Sequence, residues 1–319
     1  MPIKLGVIMD PIAGIKPKKD TTLALLLAAQ ARGWLIEYME MRDLALRDGQ
    51  LLAAMRPLSV ADDDEHWYAF KGEAMRRPLT DLDVILMRKD PPFDTEYIFA
   101  TYLLERAQSA GVLVVNDPRS LRDANEKLFT AWFADVCPPT LVARRHGEIR
   151  RFLEEFGDIV LKPLDGMGGS SIFRVRADDV NASVIMETLT AHESRYCMAQ
   201  KYLPAIRDGD KRILVVDGAP VPYALARIPA RGELRGNLAA GGRGEGRPLT
   251  ARDREICACV GPELKRRGLL FVGLDVIGDH LTEINVTSPT CARELENQFG
   301  VKIADGLMQA IAARLGRGA

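Results

Sequence analysis

Apolar segments alternate with helical segments along the first third of the chain, and this alternation limits the possible fold more than any other feature. Each apolar segment is short enough to be one buried strand, and turn-forming residues separate the segments. Such an alternation is typical of a parallel sheet flanked by helices. We therefore predict an α/β fold, with a strand excursion over residues 50–80. The predicted strands cover residues 3–9, 36–41, 83–88 and 112–115, and the predicted helices cover 21–32 and 94–109.

Beyond about residue 125 the strands become shorter and several of them pair through tight turns. A helix is predicted to begin at Leu128, and two strands surround the turn Asp217-Gly218 within residues 212–228. A segment rich in Gly and Arg, residues 229–248, is predicted to be a loop. Further strands are predicted over 140–143, 159–162, 172–175, 197–202, 271–277 and 281–286, and further helices over 149–156, 179–190 and 250–267.

Charge and patterning exclude several classes of protein. Lys and Arg together number 43 and Asp and Glu 44, so the chain lacks the basic excess of nucleic-acid-binding proteins. No G-x-G-x-x-G follows the first strand, which argues against dinucleotide binding. The chain enters a strand at Ile3 without a signal-peptide pattern, and its most apolar helical stretch, residues 23–29, is too short to cross a bilayer. We therefore expect a cytoplasmic protein with no membrane partner.

The five cysteines do not form a recognisable framework. They are odd in number and widely scattered, which is not the pattern of a disulfide-stapled domain. Cys257 and Cys259 lie two residues apart on a predicted helix, where their side chains do not face each other. We therefore expect no disulfides and no structural metal site at these residues.

A glycine-rich turn follows a buried strand that ends in a lysine. Residues 159–171 read Ile-Val-Leu-Lys-Pro-Leu-Asp-Gly-Met-Gly-Gly-Ser-Ser. Glycines allow several backbone N–H groups to point into one concavity, which suits a phosphate group. The segment is not a Walker A loop, because no Gly-Lys-Ser/Thr is present and a strand follows. A plain hairpin turn beside a partly buried Lys162 would give the same pattern.

Two carboxylates and an amide are predicted to converge on a second hairpin. Glu283 and Asn285 lie two apart on a strand and so share one face, while Ile284 and Val286 point into a core. A three-residue loop over 278–280 would place Asp275 opposite Glu283. Carboxylates this close repel each other unless a cation lies between them. Oxygen ligands in small number suit Mg²⁺, although a solvent-facing polar sheet edge is the alternative.

Two further features are open to more than one interpretation. The loop over residues 229–248 combines glycine hinges with arginines that can reach phosphate or carboxylate, which suggests a lid that excludes water. A surface insertion would have the same composition. Arg212 lies at the start of a predicted strand, where it could stabilise developing negative charge or lie exposed at the surface.

Several segments together resemble the bacterial glutathione synthetases of the ATP-grasp superfamily, and the resemblance covers essentially the whole chain. It implies two α+β lobes that enclose ATP, preceded by a Rossmann-like domain, with boundaries at 1–125, 126–203 and 204–319. The segments Met9-Asp10-Pro11-Ile12 and Pro91-Pro92-Phe93-Asp94 are specific to this family within the superfamily. The other matching segments are residues 86–90, 125–128, 162–169, 237–242 and 283–290.

The resemblance also implies a role for individual residues. It implies catalytic roles for Arg212, Lys162 and Arg235, and a lid over residues 227–242. It implies nucleotide contacts from Lys127, Lys162, Gly166, Gly168, Gly169, Gln200, Tyr202, Leu203, Asp210, Asn237 and Gly242, with Asp210 reaching the ribose. It implies Mg²⁺, or Mn²⁺ in its place, on Asp275, Glu283 and Asn285. It implies substrate contacts from Ser288, Thr290, Arg88 and Asp10.

The implied reaction joins γ-glutamylcysteine to glycine at the expense of ATP, through an acyl phosphate, in a homo-oligomer that the resemblance suggests is a tetramer. Another ATP-grasp carboxylate–amine ligase, such as a D-alanine–D-alanine or amino-acid-tailing ligase, would share the ATP and metal residues. A non-catalytic ATP-binding regulator would be expected to lack one of the residues at positions 162, 275, 283 and 285, and this chain has all four.

Overall fold

Three β-sheets, each formed from one stretch of the chain, organise the fold. The computed structural model describes residues 1–166, 168–230, 236 and 241–317. Within these residues an eight-stranded sheet comes first, a four-stranded sheet second and a five-stranded sheet third. The predicted α/β class is confirmed.

The first sheet has a parallel part and an antiparallel part. Its strands are β1 (Lys4–Ile8), β2 (Leu35–Met39), β3 (Leu44–Arg47), β4 (Gln50–Val60), β5 (Tyr68–Phe70), β6 (Met75–Pro78), β7 (Val84–Met87) and β8 (Leu113–Val115). Strands β2, β1, β7 and β8 pair in parallel in that order. The excursion predicted over residues 50–80 consists of β4, β5 and β6, which pair antiparallel, with β4 beside β2.

Helices begin at capping residues that the sequence makes visible. Asp20 accepts a hydrogen bond from Leu23 N at 2.6 Å, and Asp94 accepts one from Tyr97 N at 2.9 Å. Each cap satisfies a backbone N–H that has no partner within its helix. The helices of this part of the chain are α1 (Thr21–Ala31), α2 (Thr95–Ser109) and α3 (Pro118–Asp123), with 3₁₀ helices at Ile12–Gly14, Met41–Asp43 and Leu79–Asp81.

The second sheet is antiparallel, and two helices accompany it. Its strands are β9 (Thr140–Ala143), β10 (Asp158–Pro163), β11 (Phe173–Arg176) and β12 (Cys197–Lys201), and its helices are α4 (His146–Phe156) and α5 (Ala182–Thr190). The strand order is β11-β10-β12-β9. The strand that carries Lys162 is therefore central, with β12 as a direct neighbour.

The third sheet is also antiparallel. Its strands are β13 (Asp210–Val216), β14 (Ala219–Ile228), β15 (Arg243–Pro248), β16 (Phe271–Ile277) and β17 (His280–Asn285), in the order β15-β14-β13-β16-β17. Helices α6 (Ala251–Arg266), α7 (Ala292–Phe299) and α8 (Ile303–Arg314) accompany it. Thr250 and Asp253 form a capping box at the start of α6. No helix within the described part of the chain is long and apolar enough to cross a membrane.

The loop predicted over residues 229–248 is wrong in its second part. Residues Arg243–Pro248 form β15, which pairs antiparallel with β14. Gly and charged residues are depleted from strands, so composition favoured a loop. The long β14 instead provides an edge for this segment. Gly246 is required there by close packing, because a Cβ at this position would lie 2.2 Å from Cε2 of Phe299.

The helix predicted to begin at Leu128 differs from the structure in type. Residues Leu128–Val136 form 3₁₀ turns, and Phe133 interrupts them with φ −129° and ψ 44°. The segment is packed by its aromatic rings, because Phe129 lies edge-on to Phe133 with ring centroids 5.5 Å apart. Tertiary packing overrides the local helical preference here.

Two of the three sheets share their hydrophobic core. One buried cluster joins Ile8 and Ile85 of the first sheet to Leu274 and Ile284 of the third. A second cluster again links these two sheets. The core of the four-stranded sheet is separate and contains residues between 143 and 199. The second sheet is therefore joined to the others through surfaces rather than through a common core.

The cysteines differ sharply in accessibility, and this leads to a first prediction. Cys259 is exposed, Cys197, Cys257 and Cys291 are buried, and none of the five is in a disulfide. Burial raises the pKa of Cys257 and of Cys137 to about 12 and that of Cys197 to about 11. We expect one fast-reacting thiol in the folded protein with Ellman's reagent at pH 8, and five after denaturation.

The variant Cys259→Ser provides the control. It should abolish the fast phase and leave thermal unfolding unchanged, because this side chain faces solvent. A fast phase that persists in Cys259→Ser would contradict the low reactivity expected of the other four thiols.

Candidate active site

A cavity of about 490 Å³ lies where residues of the second and third sheets approach the segment that follows α3. This volume is typical of a site for a small ligand. Most residues that the sequence singled out line it, although they come from widely separated segments. These residues are Lys127, Lys162, Gly166, Gly168, Gly169, Gln200, Tyr202, Leu203, Asp210, Arg212, Asp275, Glu283, Asn285, Ser288 and Thr290.

Two buried lysines flank one carboxylate in this cavity. Lys162 Nζ lies 3.7 Å from Glu283 Oε1, and Lys127 Nζ lies 3.8 Å from the same oxygen. Burial lowers the pKa of Lys162, and the neighbouring Glu283 opposes that shift. Lys162 Nζ also donates to Thr282 O at 3.3 Å, so this lysine of the second sheet reaches across to the third. Two ammonium groups held in this way can bind phosphate oxygens.

The glycine-rich turn lies beside these lysines. Lys127 Nζ donates a hydrogen bond to Gly166 O. Gly168 and Gly169 have φ of +63° and +77°, which other residues rarely adopt. A Cβ at Gly166 would lie 2.8 Å from Pro163 Cγ. The turn is therefore formed by glycines because its backbone needs their conformations, while Met167 lies outside the described residues.

The end of β12 contributes to a more apolar wall of the cavity. Gln200 and Tyr202 are buried, and Gln200 Nε2 donates to Thr140 Oγ1 at 3.0 Å. The guanidinium of Arg174 lies 3.7 Å from the centroid of the Tyr202 ring. The sequence analysis did not select Arg174. The apolar residues that complete this wall are Val160, Ile172, Leu203, Ile206 and Ile277.

A cluster of two acids and two arginines forms the opposite wall. Arg212 Nη2 donates to Asp275 Oδ2 at 2.8 Å, and Arg227 Nη2 lies 2.8 Å from the same oxygen. Arg227 also donates to Asp210 Oδ2. Arg212, Arg227 and Asp275 are all buried. The residues come from β13, β14 and β16, which are neighbours in the third sheet.

The pKa values of the two carboxyl groups in this cluster are shifted in opposite directions. Burial would raise the pKa of Asp275, but the guanidinium groups of Arg212 and Arg227 outweigh burial and hold that pKa well below its usual range. Burial raises the pKa of Asp210 to about 6 despite the neighbouring Arg227. Asp210 Oδ1 is buried and makes no hydrogen bond within the described residues, so it is an acceptor available to a ligand hydroxyl.

Arg227 is the main functional candidate that the sequence analysis misplaced. The resemblance put it at the start of a lid, whereas the structure places it near the end of β14 with its side chain buried in the cluster. A local signal was present, because Arg227 interrupts the apolar run Ala224-Leu225-Ala226 before Ile228. A buried arginine in such a run requires a carboxylate partner, whose identity the sequence does not reveal.

The hairpin of β16 and β17 brings the three predicted metal ligands together. Asp275 lies opposite Glu283, as predicted, and Gly273 lies opposite Asn285. The predicted three-residue loop is wrong: Ile277 pairs with His280 across a two-residue turn. A bulge between these pairs explains why Asp275 still lies opposite Glu283. Val276 pairs with Leu281, and Thr282 is the extra residue on β17.

The donor types of these three residues, two carboxylates and an amide, suit a hard cation, although both oxygens of Asp275 accept hydrogen bonds from Arg212 in this structure. Glu283 Oε1 lies beyond hydrogen-bond distance of both lysines, so its lone pairs are available to a cation. Carboxylate and amide oxygens are ligands that Mg²⁺ accepts together with water and phosphate oxygens. Within the described residues no group of three or more His, Cys, Asp or Glu side chains could hold a metal ion. Two carboxylates and one amide make a partial shell, which would suit a metal shared with a nucleotide.

Two predicted substrate residues, Arg88 and Asp10, do not line the cavity. Arg88 is buried and donates to Pro289 O at 2.9 Å, so it supports the backbone between Ser288 and Thr290. Asp10 accepts a hydrogen bond from Asp90 N at 3.0 Å. In this structure both residues hold neighbouring cavity residues in place.

The remaining predictions fall on the segment between β14 and β15. Arg235 and Asn237 lie outside the described residues. Gly242 is described and does not line the cavity, whereas Gly236 does. A Cβ at Gly236 would lie 2.4 Å from Arg227 O, so the chain passes close to the acid–arginine cluster at this point.

Comparison with known proteins gives this geometry a family. The N-terminal domain of prokaryotic glutathione synthetase matches residues 3–122, and the ATP-grasp domain of the same family matches residues 126–300. The chain belongs to the prokaryotic glutathione synthetase family. As a member of this family it is an ATP-dependent ligase, which confirms the resemblance and the implied activity.

Relatives of nearly equal length support the family assignment. Glutathione synthetase of Escherichia coli K12 is 64% identical over 313 residues, which cover 98% of this chain and 99% of that protein. The enzyme of Yersinia pestis is 64% identical over 314 residues, with 98% of each chain covered. The enzyme of Salmonella typhi is 63% identical over 315 residues, covering 99% of this chain and 100% of that protein.

Solved structures support the fold. D-cycloserine synthetase DcsG superposes with a TM-score of 0.69 at 17% identity, covering 98% of this chain and 99% of that one. The ATP-grasp ligase PsnB, complexed with minimal precursor, Mg and ADP, superposes with a TM-score of 0.62 at 19% identity, covering 98% of both chains. These similarities confirm the ATP-grasp fold. At such low identity they carry no information about substrate.

The acid–arginine cluster leads to a stability prediction. Asp275→Asn removes the carboxylate that compensates two buried guanidinium groups, so we expect the free energy of unfolding at pH 7 to fall by about 3–5 kcal/mol. Urea denaturation would measure this change. The control Glu255→Gln breaks an exposed pair with Arg252, and it should cost less than about 1 kcal/mol.

The same variant has a predicted pH dependence. Because the folded state lowers the pKa of Asp275, its stabilisation is present above the ordinary carboxyl pKa of about 3.9 and is lost as pH falls through the lower folded-state value. The difference between wild type and Asp275→Asn should therefore shrink as pH falls below about 4. A difference that grows on acidification would refute the ion-pair assignment.

Proposed function

We propose that the enzyme joins the cysteinyl carboxylate of γ-glutamylcysteine to the amine of glycine, with ATP converted to ADP and phosphate, in the cavity described above. The observation that carries this proposal is the placement of Lys127 and Lys162 within 4 Å of the Glu283 carboxylate, beside a glycine-rich turn. Phosphate-binding cations and a cation-binding acid at one point are what phosphoryl transfer from a metal nucleotide requires.

In the first step an oxygen of the cysteinyl carboxylate attacks the γ-phosphorus of ATP. The bond between this phosphorus and the β,γ-bridging oxygen breaks, and ADP leaves with the electron pair. Lys127 and Lys162 hold phosphate oxygens, and Arg212 and Arg227 face the charge that develops on the transferred group. Their contribution is positioning and electrostatic stabilisation in a site shielded from water. The product is an acyl phosphate.

In the second step the neutral amine of glycine attacks the acyl carbon. The bond from this carbon to the phosphate oxygen breaks, and phosphate leaves with the electron pair. The nitrogen loses a proton to the departing phosphate as the amide forms. Water competes with glycine for an acyl phosphate, so the site needs a cover. The segment over residues 229–242, which includes Arg235, Asn237 and Gly242, is proposed as this cover because Gly236 already lines the cavity.

The nucleotide and metal assignments rest on the same geometry. We assign the adenine to the wall of Gln200, Tyr202 and Leu203, and the ribose to the unpaired Oδ1 of Asp210. Asp275, Glu283 and Asn285 would hold Mg²⁺, or Mn²⁺ in its place. When bound, the ion neutralises phosphate charge.

The polar residues of the segment after β17 are assigned to the dipeptide. Ser288 and Thr290 line the cavity and are placed to bind its carboxylate groups. Arg88 and Asp10 are proposed to act from behind this surface, through the backbone contacts described above.

Three wider assignments belong to the same proposal. Domain boundaries at 1–125, 126–203 and 204–319 agree with one sheet in each part of the chain. A cytoplasmic location is supported by five cysteines that form no disulfide. A homo-oligomer, a tetramer by family resemblance, is proposed and can be measured by analytical ultracentrifugation.

Phosphate release tests the reaction directly. We expect strong release from ATP with Mg²⁺ only when γ-glutamylcysteine and glycine are both present, because each step consumes one of them. The control omits one substrate at a time. Release that ignores γ-glutamylcysteine would overturn the named substrate while leaving ATP-grasp ligase chemistry in place.

The metal assignment predicts the behaviour of one variant. Glu283→Gln removes a charged ligand and should lower kcat by about 10²–10³, as for loss of one pre-placed charge-stabilising group. The matched control is Glu255→Gln, an exposed residue of α6, which should turn over normally. Normal turnover of Glu283→Gln at low Mg²⁺ would refute the assignment.

A further inference from the structure

The segment that follows β17 carries two kinds of active-site residue in a short space. Asn285, a proposed metal ligand, ends the strand, and Ser288, a proposed substrate contact, follows three residues later. Beyond Asn285 the chain leaves the sheet, so sheet hydrogen bonds no longer fix it. Catalysis requires such groups to be held within a fraction of an ångström, so another part of the protein must hold this segment.

Glu126 accepts three hydrogen bonds from this segment and a fourth from the end of β17. Its backbone oxygen accepts from Ile284 N at 2.8 Å. Its side-chain Oε1 accepts from Val286 N at 3.1 Å, from Thr287 N at 3.2 Å and from Thr287 Oγ1 at 2.8 Å. One carboxylate oxygen therefore satisfies two consecutive backbone N–H groups and a hydroxyl immediately after the metal ligand.

The neighbours of Glu126 connect the same point to the phosphate side of the cavity. Lys127 donates to Gly166 O in the glycine-rich turn. Asn125 Nδ2 donates to Leu164 O at 3.1 Å. Residues 125–127 therefore link the turn that is proposed to bind phosphate with the segment that carries the metal and substrate residues.

The opposite side of the segment is held by a different residue. Asn116 Nδ2 donates to Val286 O at 2.7 Å and to Phe271 O at 2.8 Å. The backbone N–H of Val286 is thus bound by Glu126, and its backbone carbonyl oxygen is bound by Asn116. Asn116 does not line the cavity, whereas Glu126 does.

The half-buried carboxylate of Glu126 is a costly way to hold a backbone segment if stability is its only purpose. Removing it from water costs free energy that its hydrogen bonds offset only in part. Glu283 also lies near enough to add repulsion. An acceptor oxygen at this point therefore has a role beyond packing, because it fixes the metal-bearing segment against the phosphate turn.

We propose that Glu126 is a positioning residue that orients Asn285 for metal binding by holding the backbone of Val286 and Thr287. This inference rests on the proposed metal site at Asp275, Glu283 and Asn285. The sequence analysis selected the neighbouring Lys127 and passed over Glu126. Residues that orient metal ligands without touching the metal typically change metal affinity strongly when they are replaced.

Mn²⁺ binding to the ADP complex of the full-length enzyme tests the inference. A titration with MnCl₂, followed by electron paramagnetic resonance, measures affinity without turnover. Glu126→Ala should weaken Mn²⁺ binding by about 10- to 100-fold. Glu126→Gln keeps an acceptor oxygen at Oε1, and it should bind Mn²⁺ nearly as the wild type does.

A core variant separates positioning from general destabilisation. Val260→Ala leaves a void in the core beside α6, lowers thermal stability and changes a residue that does not line the cavity. It should leave Mn²⁺ affinity unchanged. Wild-type affinity in Glu126→Ala would overturn the proposal, and so would an equal loss of affinity in Val260→Ala at a similar melting temperature.

A second pair of variants serves if Glu126→Ala does not fold. Thr287→Val removes the hydroxyl donor to Glu126 and should weaken Mn²⁺ binding, whereas Thr287→Ser keeps the donor and should not. Equal affinity in this pair would then overturn the proposal.

Glu283→Gln distinguishes failure of the metal site from failure of the positioning role. Unchanged Mn²⁺ affinity in that variant refutes the metal site and this inference with it. Weakened binding in Glu283→Gln but not in Glu126→Ala refutes the inference alone.

Discussion

Compensation of buried charge is the constraint on which the rest of this structure depends. The register of the third sheet places Asp210 opposite Arg227 and Arg212 opposite Asp275. Leaving any one of these charges unpaired in the interior would cost several kcal/mol. A slip of one residue would turn each side chain to the other face of the sheet. The buried charge pairs therefore favour one strand register, and that register brings the charged residues of the site together.

The distribution of hydrophobic core explains how the cavity is built. The first and third sheets share core clusters, so the segment that carries the metal and substrate residues is joined firmly to the N-terminal sheet. The second sheet, which carries Lys162 and the glycine-rich turn, has its own core. Polar contacts such as Lys162 to Thr282 O connect this sheet to the third. Such an interface can close on a ligand at less cost than a common core could be rearranged.

Local patterns predicted much of this, and their errors have physical causes. A three-residue loop predicts Asp275 opposite Glu283, and this pairing is confirmed. The turn itself has two residues, and a bulge provides the one additional residue. Composition concealed β15, because glycine and arginine are poor strand formers without a neighbouring edge. Packing around Phe129 and Phe133 converted a predicted helix into 3₁₀ turns.

The sequence by itself determined the α/β class, the glycine-rich turn, the shared face of Glu283 and Asn285 and the family. Each of these depends on neighbours a few residues apart or on motifs in the linear chain. The tertiary structure alone decided that Arg227 joins Asp210 and Asp275, and that Glu126 binds Thr287, 161 positions away. Periodicity reveals which face of a strand a residue occupies. The partner across the cavity depends on strand order and packing, which a local pattern does not contain.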